Sequence, residues 1–460
     1  MAKILFTAKN MAGLLHPLLE MARRLQVDGH DVAFMGAAPA TPMITAHGFR
    51  MVPLTEDRAA LARMRAAEDE PRLRRLRHGW RERRQLDQLN EIREAVEREQ
   101  PDLLIHDVEM HATIMATAKL DIPAIVTTPW CSVFRDSSVA PMHTTTDPSQ
   151  DQLGLQGRRD WLKLIARRIW TQDIKRRLNP AGRLERLTTP YPYHIIDRRV
   201  LSRLARVHRF GLRKNTTQLN WLRPHMYRHL PVVSTVLEEF DLPQRTPAHF
   251  RYVGPMVHIE PAQASISETD RDTVDQALRM ADDPDRRLVY FSVGTRSGET
   301  LAIASKVIDA YRNATDTVAL LSIGRKHEID ELDTDLPAHV FVVNFSPQFD
   351  VLAAADLAII HGGIGTINQC IFQKVPMLVH RYGDVDQPGC ALRVEHHGLG
   401  RRLDLLAASA DEIRDAGDSV RNDPTISANL DRFADHSQRY RDDKVIEGLA
   451  NDVIAGRWQL

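Results

Sequence analysis

Short apolar runs alternate with stretches of helical apolar spacing along the first part of the chain. Residues 3–7 and 31–35 are apolar runs typical of buried strands, and apolar positions recur at helical spacing from 15 to 30. Strand, helix and strand at this spacing predict a right-handed βαβ unit and a parallel sheet. Runs at 101–107 and 122–128 predict further strands, and we place this first domain at residues 1–245.

The same alternation returns in the second half of the chain. Two runs, near 230–235 and 249–255, look like the last strands before the chain leaves the first domain. Further strands are then predicted at 288–293, 318–323, 340–343, 357–360 and 376–379, with helices between them. We therefore predict a second doubly wound domain over residues 246–430, with a polar, proline-containing linker at 259–270. The fold class is α/β, built from two Rossmann-like domains.

Composition indicates a soluble globular protein of more than one domain. The chain of 460 residues is longer than a single domain usually is. Its 61 basic residues balance 61 acidic ones, so the protein has no net positive charge that would attract nucleic acid. The apolar runs are shorter than the roughly 18 residues that a membrane span needs, and the N-terminus lacks the pattern of a signal peptide. The three cysteines form no metal or disulfide pattern. We expect a cytoplasmic protein.

The segment 56–100 is charged and favours helix. The simpler interpretation is a solvated helical face, and the alternative is a surface for an anionic acceptor or a membrane interface. Peripheral membrane contact therefore stays open, as does a homodimer.

A glycine-rich turn between a strand and a helix is the most informative stretch of the sequence. The apolar run 356–360 precedes His361-Gly362-Gly363, after which Gly365 and Thr366 open a helix that ends near residue 374. Backbone N–H groups at a helix start lack intrahelical partners and, with the helix dipole, favour an anion such as a diphosphate. Glycine-rich turns are also common as plain tight connections, so this stretch alone leaves both interpretations open.

Five elements in one order resemble the inverting nucleotide-sugar glycosyltransferases, in particular the bacterial natural-product enzymes. They are the first strand with the loop 13–17, the run 289–295, the segment 344–348, the turn at His361, and Asp386-Gln387 followed by a helix-like segment at 390–404. The resemblance implies a GT-B fold, in which an acceptor-binding first domain faces a nucleotide-sugar-binding second domain across a cleft. It also implies that residues 431–460 cross back onto the first domain and that 132–224 is a helical insertion shaping the acceptor pocket.

The resemblance assigns the donor site to the second domain. Phe345 would stack on the pyrimidine, His361 would donate to a diphosphate oxygen, and Asp386 and Gln387 would bind sugar hydroxyls. The full set of donor-site candidates is Ser292, Thr295, Phe345, Gln348, His361, Gly363, Gly365, Thr366, Gln369, Asp386 and Gln387. We expect a UDP- or dTDP-hexose as donor and no other cofactor. No metal is expected, because the D-x-D pairs at 333–335 and 384–386 lack a further ligand at regular spacing.

One donor position departs from the family. Members often have a glutamate eight residues after the histidine, where its carboxylate accepts hydrogen bonds from both ribose hydroxyls, and this chain has Gln369. An amide offers one acceptor oxygen and no charge, so we expect a weaker ribose contact. The choice between UDP and dTDP therefore stays open.

The acceptor side departs more strongly. Many family members carry the general base, a histidine, directly after the glycine that corresponds to Gly13, and this chain has Leu14 there. Asp107 matches the aspartate that orients the base. His16 is our first candidate for the displaced base, and His106 and His111, near the end of the strand at 101–107, are the others. Alternatively, the acceptor needs little activation, or the protein is not catalytic.

Together these features predict an inverting, metal-independent glycosyltransferase. It would transfer a hexose to a hydroxyl or nitrogen of a hydrophobic small molecule, with the base assigned to His16 and its orientation to Asp107. The alternatives are a sugar-nucleotide epimerase or hydrolase of the same fold, and an auxiliary partner of another transferase.

Overall fold

A computed structural model of the protein describes most of both predicted domains. The described residues are 1–9, 11–37, 40–54, 89–132, 198–212, 217–218, 226–257, 266–292, 299–324, 329–332, 335–383 and 386–458, with isolated positions between 134 and 166. Most of the charged segment 56–100, of the insertion 132–224 and of the linker 259–270 lies outside them.

The first sheet contains seven described strands, all parallel, in the order β3-β2-β1-β4-β5-β8-β9. These strands are β1 (Lys3–Ala8), β2 (Asp31–Ala37), β3 (Arg50–Leu54), β4 (Leu103–Asp107), β5 (Ala124–Thr128), β8 (Val232–Ser234) and β9 (Phe250–Tyr252). The helices beside it are α1 (Ala12–Val27), α2 (Thr41–Ala46), α3 (Asn90–Glu99), α4 (His111–Thr117) and α5 (Arg198–Val207). A short antiparallel pair, β6 (Thr217–Gln218) and β7 (Met226–Tyr227), lies outside the sheet. In the seven-stranded sheet, successive apolar side chains point to opposite faces, as expected for a sheet that is covered by helices on both sides.

The second sheet contains six described parallel strands in the order β12-β11-β10-β13-β14-β15. They are β10 (Arg287–Ser292), β11 (Thr317–Ser322), β12 (Val340–Val343), β13 (Leu357–Ile360), β14 (Met377–His380) and β15 (Gly400–Leu403). The helices in this half of the chain, the last of which packs on the first domain, are α6 (Glu268–Ala281), α7 (Thr300–Tyr311), α8 (Gln348–Ala354), α9 (Ile364–Gln373), α10 (Gln387–His396), α11 (Ala410–Arg421), α12 (Pro424–Asp442) and α13 (Val445–Ile454). The predicted pair of doubly wound α/β domains is therefore confirmed.

Strand order reverses at one point in each sheet, between β1 and β4 in the first and between β10 and β13 in the second. In open parallel sheets, ligands bind at the carboxyl ends of the strands beside such a switch point. The loops after these four strands are therefore the places to look for a site.

The structure moves three boundaries set from the sequence. Phe250–Tyr252 pairs with Val232–Ser234, so the first sheet continues beyond residue 245. The first helix begins at Ala12 rather than residue 15, which places Gly13 and Leu14 in its first turn. Residues 390–404 do not form one helix, because the chain turns at Gly398, whose φ is +62°, and 400–403 form an edge strand.

The end of the chain packs on the first domain. Ile446, Leu449, Ala450 and Val453 of α13 belong to the same buried apolar cluster as Ile4, Phe6 and Leu18. A second cluster joins the domains directly, since it contains Trp130 and Val236 of the first and Val394 and Leu399 of the second. The two domains therefore share a continuous core at their junction.

Candidate active site

The turn after β13 has the geometry of an anion site. The four residues of β13 are buried, Gly362 adopts a φ of +79°, and Gly363 precedes the first residue of α9. The first N–H groups of α9 have no carbonyl one turn earlier in the helix to bind, so they point out of its N-terminus together with the positive end of the dipole. A non-glycine residue would be strained at position 362. Sequence and structure agree on this turn.

His361 is held at the switch point of the second sheet. Its Nδ1 donates to the carbonyl oxygen of Ser292, the last residue of β10, at 3.3 Å. Nε2 lies over Gly363, where an added Cβ would come within 2.5 Å of it. Burial lowers the pKa of His361 below its ordinary value, against the smaller opposing effect of the Ser292 hydrogen bond. The ring is therefore neutral at pH 7, fixed in one tautomer, and packed against Gly363, where any side chain would force the ring to move.

Gly365 faces open space at the start of α9. It is exposed, and a Cβ built on it would have no atom of the described residues within 4 Å. Beside it, the amide of Gln348 donates to Thr366 Oγ1 at 3.2 Å and to Gln369 Oε1 at 2.5 Å. These contacts bring four of the predicted donor-site residues into one group around the first turn of α9.

The remaining donor-site candidates lie in the loops after β12 and β14, apart from one. Phe345 is half-buried in the loop after β12, next to Ser346, whose hydroxyl bonds the buried Tyr290 hydroxyl at 2.9 Å. Asp386 precedes α10 and Gln387 begins it. The carbonyl oxygen of Gln387 lies 3.0 Å from where a Cβ on Gly362 would be, so the start of α10 abuts the turn. Thr295 lies outside the described residues.

Three of the acceptor-side candidates, Gly13, Leu14 and His16, lie in the first turns of α1, which follows the carboxyl end of the central strand β1. Gly13 is exposed, Leu14 is only 3% exposed and belongs to the cluster at the domain junction, and His16 is half-buried. Leu14, at the position where the resemblance places the general base, is therefore packed in the core, whereas His16 keeps some access to solvent.

The other two histidines are enclosed. His106 is 1% exposed, with Nδ1 at 2.9 Å from Thr7 Oγ1 and Nε2 at 3.4 Å from Thr117 Oγ1. Burial lowers its pKa to about 3, so it stays neutral and bonded within the domain. His111 is fully buried and bonds the Tyr227 hydroxyl through Nδ1 at 2.6 Å. Neither environment suits exchange of a proton with a bound acceptor, which weakens both as candidates for the base.

Asp107 ends β4, beside the loop that leads into α1, and is 1% exposed. Its Oδ1 accepts the backbone N–H of Glu109 at 2.8 Å, which fixes the turn after the strand. The side chain therefore lies at the predicted edge of the sheet and shapes the loop there.

The structure adds an ion pair that sequence reasoning did not identify. Lys9, in the loop after β1, donates to Glu109, in the loop after β4, at 2.6 Å. Glu109 is fully buried, and the pair spans the switch point of the first sheet. The sequence places both residues just beyond strand ends, but they are 100 positions apart and no local spacing connects them.

Among the described residues, no helix has the combination of length and apolar character that crossing a membrane requires.

Comparison with known proteins fits this geometry. Residues 262–450 match the family described as UDP-glucoronosyl and UDP-glucosyl transferase. The chain is 28% identical to zeaxanthin glucosyltransferase of Pantoea ananas over 181 residues, which are 39% of each protein, so the match spans less than half of that relative. It is 23% identical to the NDP-glycosyltransferase YjiC of Bacillus subtilis over 426 residues, or 91% of this chain and 88% of the relative.

Among solved structures, the glycotransferase of kitacinnamycin matches 100% of this chain and 99% of its own, with a TM-score of 0.67 at 20% identity. The GT-B fold is thus confirmed. The resemblance found in the sequence is confirmed as well, since residues 262–450 match the nucleotide-sugar glycosyltransferases and the similarity to YjiC extends over most of both chains.

Proposed function

We propose that the protein transfers a hexose from a UDP- or dTDP-sugar to a hydroxyl, or a nitrogen, of a hydrophobic small molecule. Transfer would proceed with inversion and without a metal ion. The observation that carries this proposal is the open N-terminus of α9, where exposed Gly365 follows the His361 turn at the switch point of the second sheet. The relatives named above, which are glycosyltransferases by name, support the same reaction class.

The donor would lie along the carboxyl edge of the second sheet. Its diphosphate would accept hydrogen bonds from the N–H groups of α9, where partial positive charge stabilises the leaving nucleotide. Phe345 would stack on the base, and the Gln348–Gln369 pair would contact the ribose. Asp386 and Gln387 would bind hydroxyls of the sugar, which favours a hydroxylated hexose.

On the acceptor side, we assign the general base to His16. The acceptor hydroxyl would transfer its proton to a ring nitrogen of His16 as its oxygen attacks the anomeric carbon. The bond from that carbon to the diphosphate oxygen breaks in the same step, and the nucleoside diphosphate leaves with the electron pair. Attack from the face opposite the leaving group gives inversion.

A transfer assay tests the proposal. The purified protein is incubated with UDP-glucose or dTDP-glucose and a panel of phenolic and alcoholic acceptors, with His361→Ala as the inactive control. We expect a mass gain of one hexose, a β-linked product from the α-linked donor, and no loss of rate in EDTA. An α-linked product would refute inversion, and a loss of rate in EDTA that added Mg²⁺ or Mn²⁺ restores would refute metal independence. Failure of both sugar nucleotides to bind would refute the transferase assignment.

The burial of Leu14 favours one second candidate, an auxiliary protein that binds a nucleotide sugar without transferring it. Such a protein would bind the sugar nucleotide in calorimetry yet give no product with any acceptor until a partner transferase is added.

A further inference from the structure

Helix α10 carries two of the proposed sugar-binding residues at its start, and a face of the same helix is held by the first domain. Asp386 and Gln387 stand at its N-terminus. Gly389, Arg393 and His397 follow at intervals of four, so they share one face. The Gly389 N–H donates to the Met142 carbonyl at 2.7 Å, and a Cβ on Gly389 would collide with that carbonyl. At the other end, His397 Nε2 donates to the Phe240 carbonyl at 3.0 Å.

The centre of this face is a buried ion pair between the domains. Arg393 donates to Asp241 Oδ1 from Nε at 2.9 Å and from Nη2 at 2.6 Å. The two side chains are 1% and 2% exposed. The remaining terminal nitrogen of Arg393 donates to the Gly389 carbonyl at 3.1 Å, so the guanidinium is tied to its own helix as well as to the other domain.

Asp241 is itself fixed by the first domain. Its Oδ2 accepts the Ser132 N–H at 2.6 Å, the Tyr252 hydroxyl at 2.6 Å and the Gln244 amide at 3.1 Å. Three donors from the first domain therefore hold one carboxylate oxygen, while the other meets the fork of Arg393. Such an arrangement fixes direction as well as distance, because a guanidinium bonds through a planar pair of N–H groups.

A buried ion pair is a weak means of stabilising a fold, since apolar side chains of similar size often do as well. Its directionality is what apolar packing does not supply. We propose that Asp241 and Arg393 are positioning residues that set the orientation of α10 across the domain junction, and thereby place Asp386 and Gln387 against the donor sugar. This inference rests on the proposed function.

The test separates binding of the sugar from binding of the nucleotide. Dissociation constants of UDP and UDP-glucose, and of dTDP and dTDP-glucose, are measured calorimetrically for the wild type, Arg393→Lys and Asp241→Asn. Arg393→Lys keeps the charge and loses the fork, whereas Asp241→Asn keeps the shape and loses the charge. We expect the sugar nucleotide to bind at least tenfold more weakly in both variants, with binding of the free nucleotide changed less than twofold.

Two ion pairs provide matched controls. Arg441→Lys alters a contact between α12 and Glu20 of the first domain, at 2.9 Å, that does not involve α10. Glu395→Gln removes a pair with Arg402 that lies on α10 but within the second domain. Neither should change the ratio of the two dissociation constants. A purely structural role of Arg393 would alter melting temperature without altering this ratio.

The outcomes are distinguishable. An unchanged ratio in folded Arg393→Lys would overturn the positioning role, and so would an equal change in Arg441→Lys. If Asp241→Asn fails to fold, the ratio measured for Arg393→Lys still distinguishes a positioning role from a purely structural one. A wild-type protein that binds neither sugar nucleotide would overturn the proposed function and this inference together, whereas normal wild-type binding with an unchanged ratio overturns the inference alone.

Discussion

Replacement of Gly365 by alanine should raise folding stability and weaken donor binding. Gly365 is the second residue of α9, and the added methyl group would contact no atom within 4 Å in the part of the chain that the structure describes. Alanine is favoured over glycine in a helix by about 0.8–1.0 kcal/mol. No steric clash with a described residue opposes this gain in the free protein. We therefore expect the free energy of unfolding to rise by up to about 1 kcal/mol, which for a chain of 460 residues corresponds to about 1 °C in melting temperature.

The same methyl group would enter the space in which we place the diphosphate. Hydrogen bonds to a charged group contribute about 1.5–3 kcal/mol each, so displacing the ligand from one N–H should raise the dissociation constant roughly 10- to 150-fold. A single methyl group would thus change stability and affinity in opposite directions.

Differential scanning calorimetry and titration with UDP and dTDP measure the two effects. Gly448→Ala is the matched control, because Gly448 is an exposed residue of α13 whose added Cβ also meets no described atom within 4 Å. It should raise stability similarly and leave affinity unchanged. If Gly365→Ala binds both nucleotides as tightly as the wild type, the diphosphate does not lie over the first turn of α9.

Four further predictions follow from single side chains. His361 donates from Nδ1 to Ser292, so it can donate to phosphate from Nε2 only when protonated; UDP-glucose should bind more tightly as pH falls from 8 to 6, and His361→Asn should lose this slope. His106 is neutral with a pKa of about 3, so acidification below pH 6.5 should destabilise the fold, by about 2–3 kcal/mol at pH 4.5, and His106→Gln should flatten that dependence in urea titrations. Gln369→Glu should increase the preference for UDP over dTDP in competition binding, because a carboxylate accepts both ribose hydroxyls while still accepting from Gln348. His16→Ala should abolish transfer and leave the donor dissociation constant unchanged; full activity would remove His16 as the base.

The sequence predicts the donor turn well because the turn is local. An apolar strand, glycines at 362 and 363 and a helical period after 364 are all within a dozen residues, and each has one good structural solution. The segment 390–404 was predicted less well, because its local pattern favours a helix where the structure has a strand. Its helical pattern continues through Gly398, and only pairing with β14 shows that 400–403 form a strand.

Contacts between residues far apart in the sequence could not be predicted, because no local pattern indicates them. Arg393 looks like one more charged residue on an amphipathic helix, yet it is fully buried because Asp241, 152 positions earlier, lies opposite it. Lys9 and Glu109 pair across the first switch point in the same way. In each case the partner is fixed by the packing of whole domains, which the spacing of residues along the chain does not encode.

The geometry of α1 constrains where the acceptor can lie. Successive helical residues are 100° apart, so the side chain of His16 points about 200° away from that of Leu14. Leu14, Leu15 and Leu18 are buried, and His16 and Pro17 lie on the less enclosed side. His16 therefore cannot simply take over the position of a base at residue 14. If His16 accepts the proton, the acceptor hydroxyl must approach α1 from a different side than it would to reach a base at residue 14, and the acceptor pocket must be displaced accordingly.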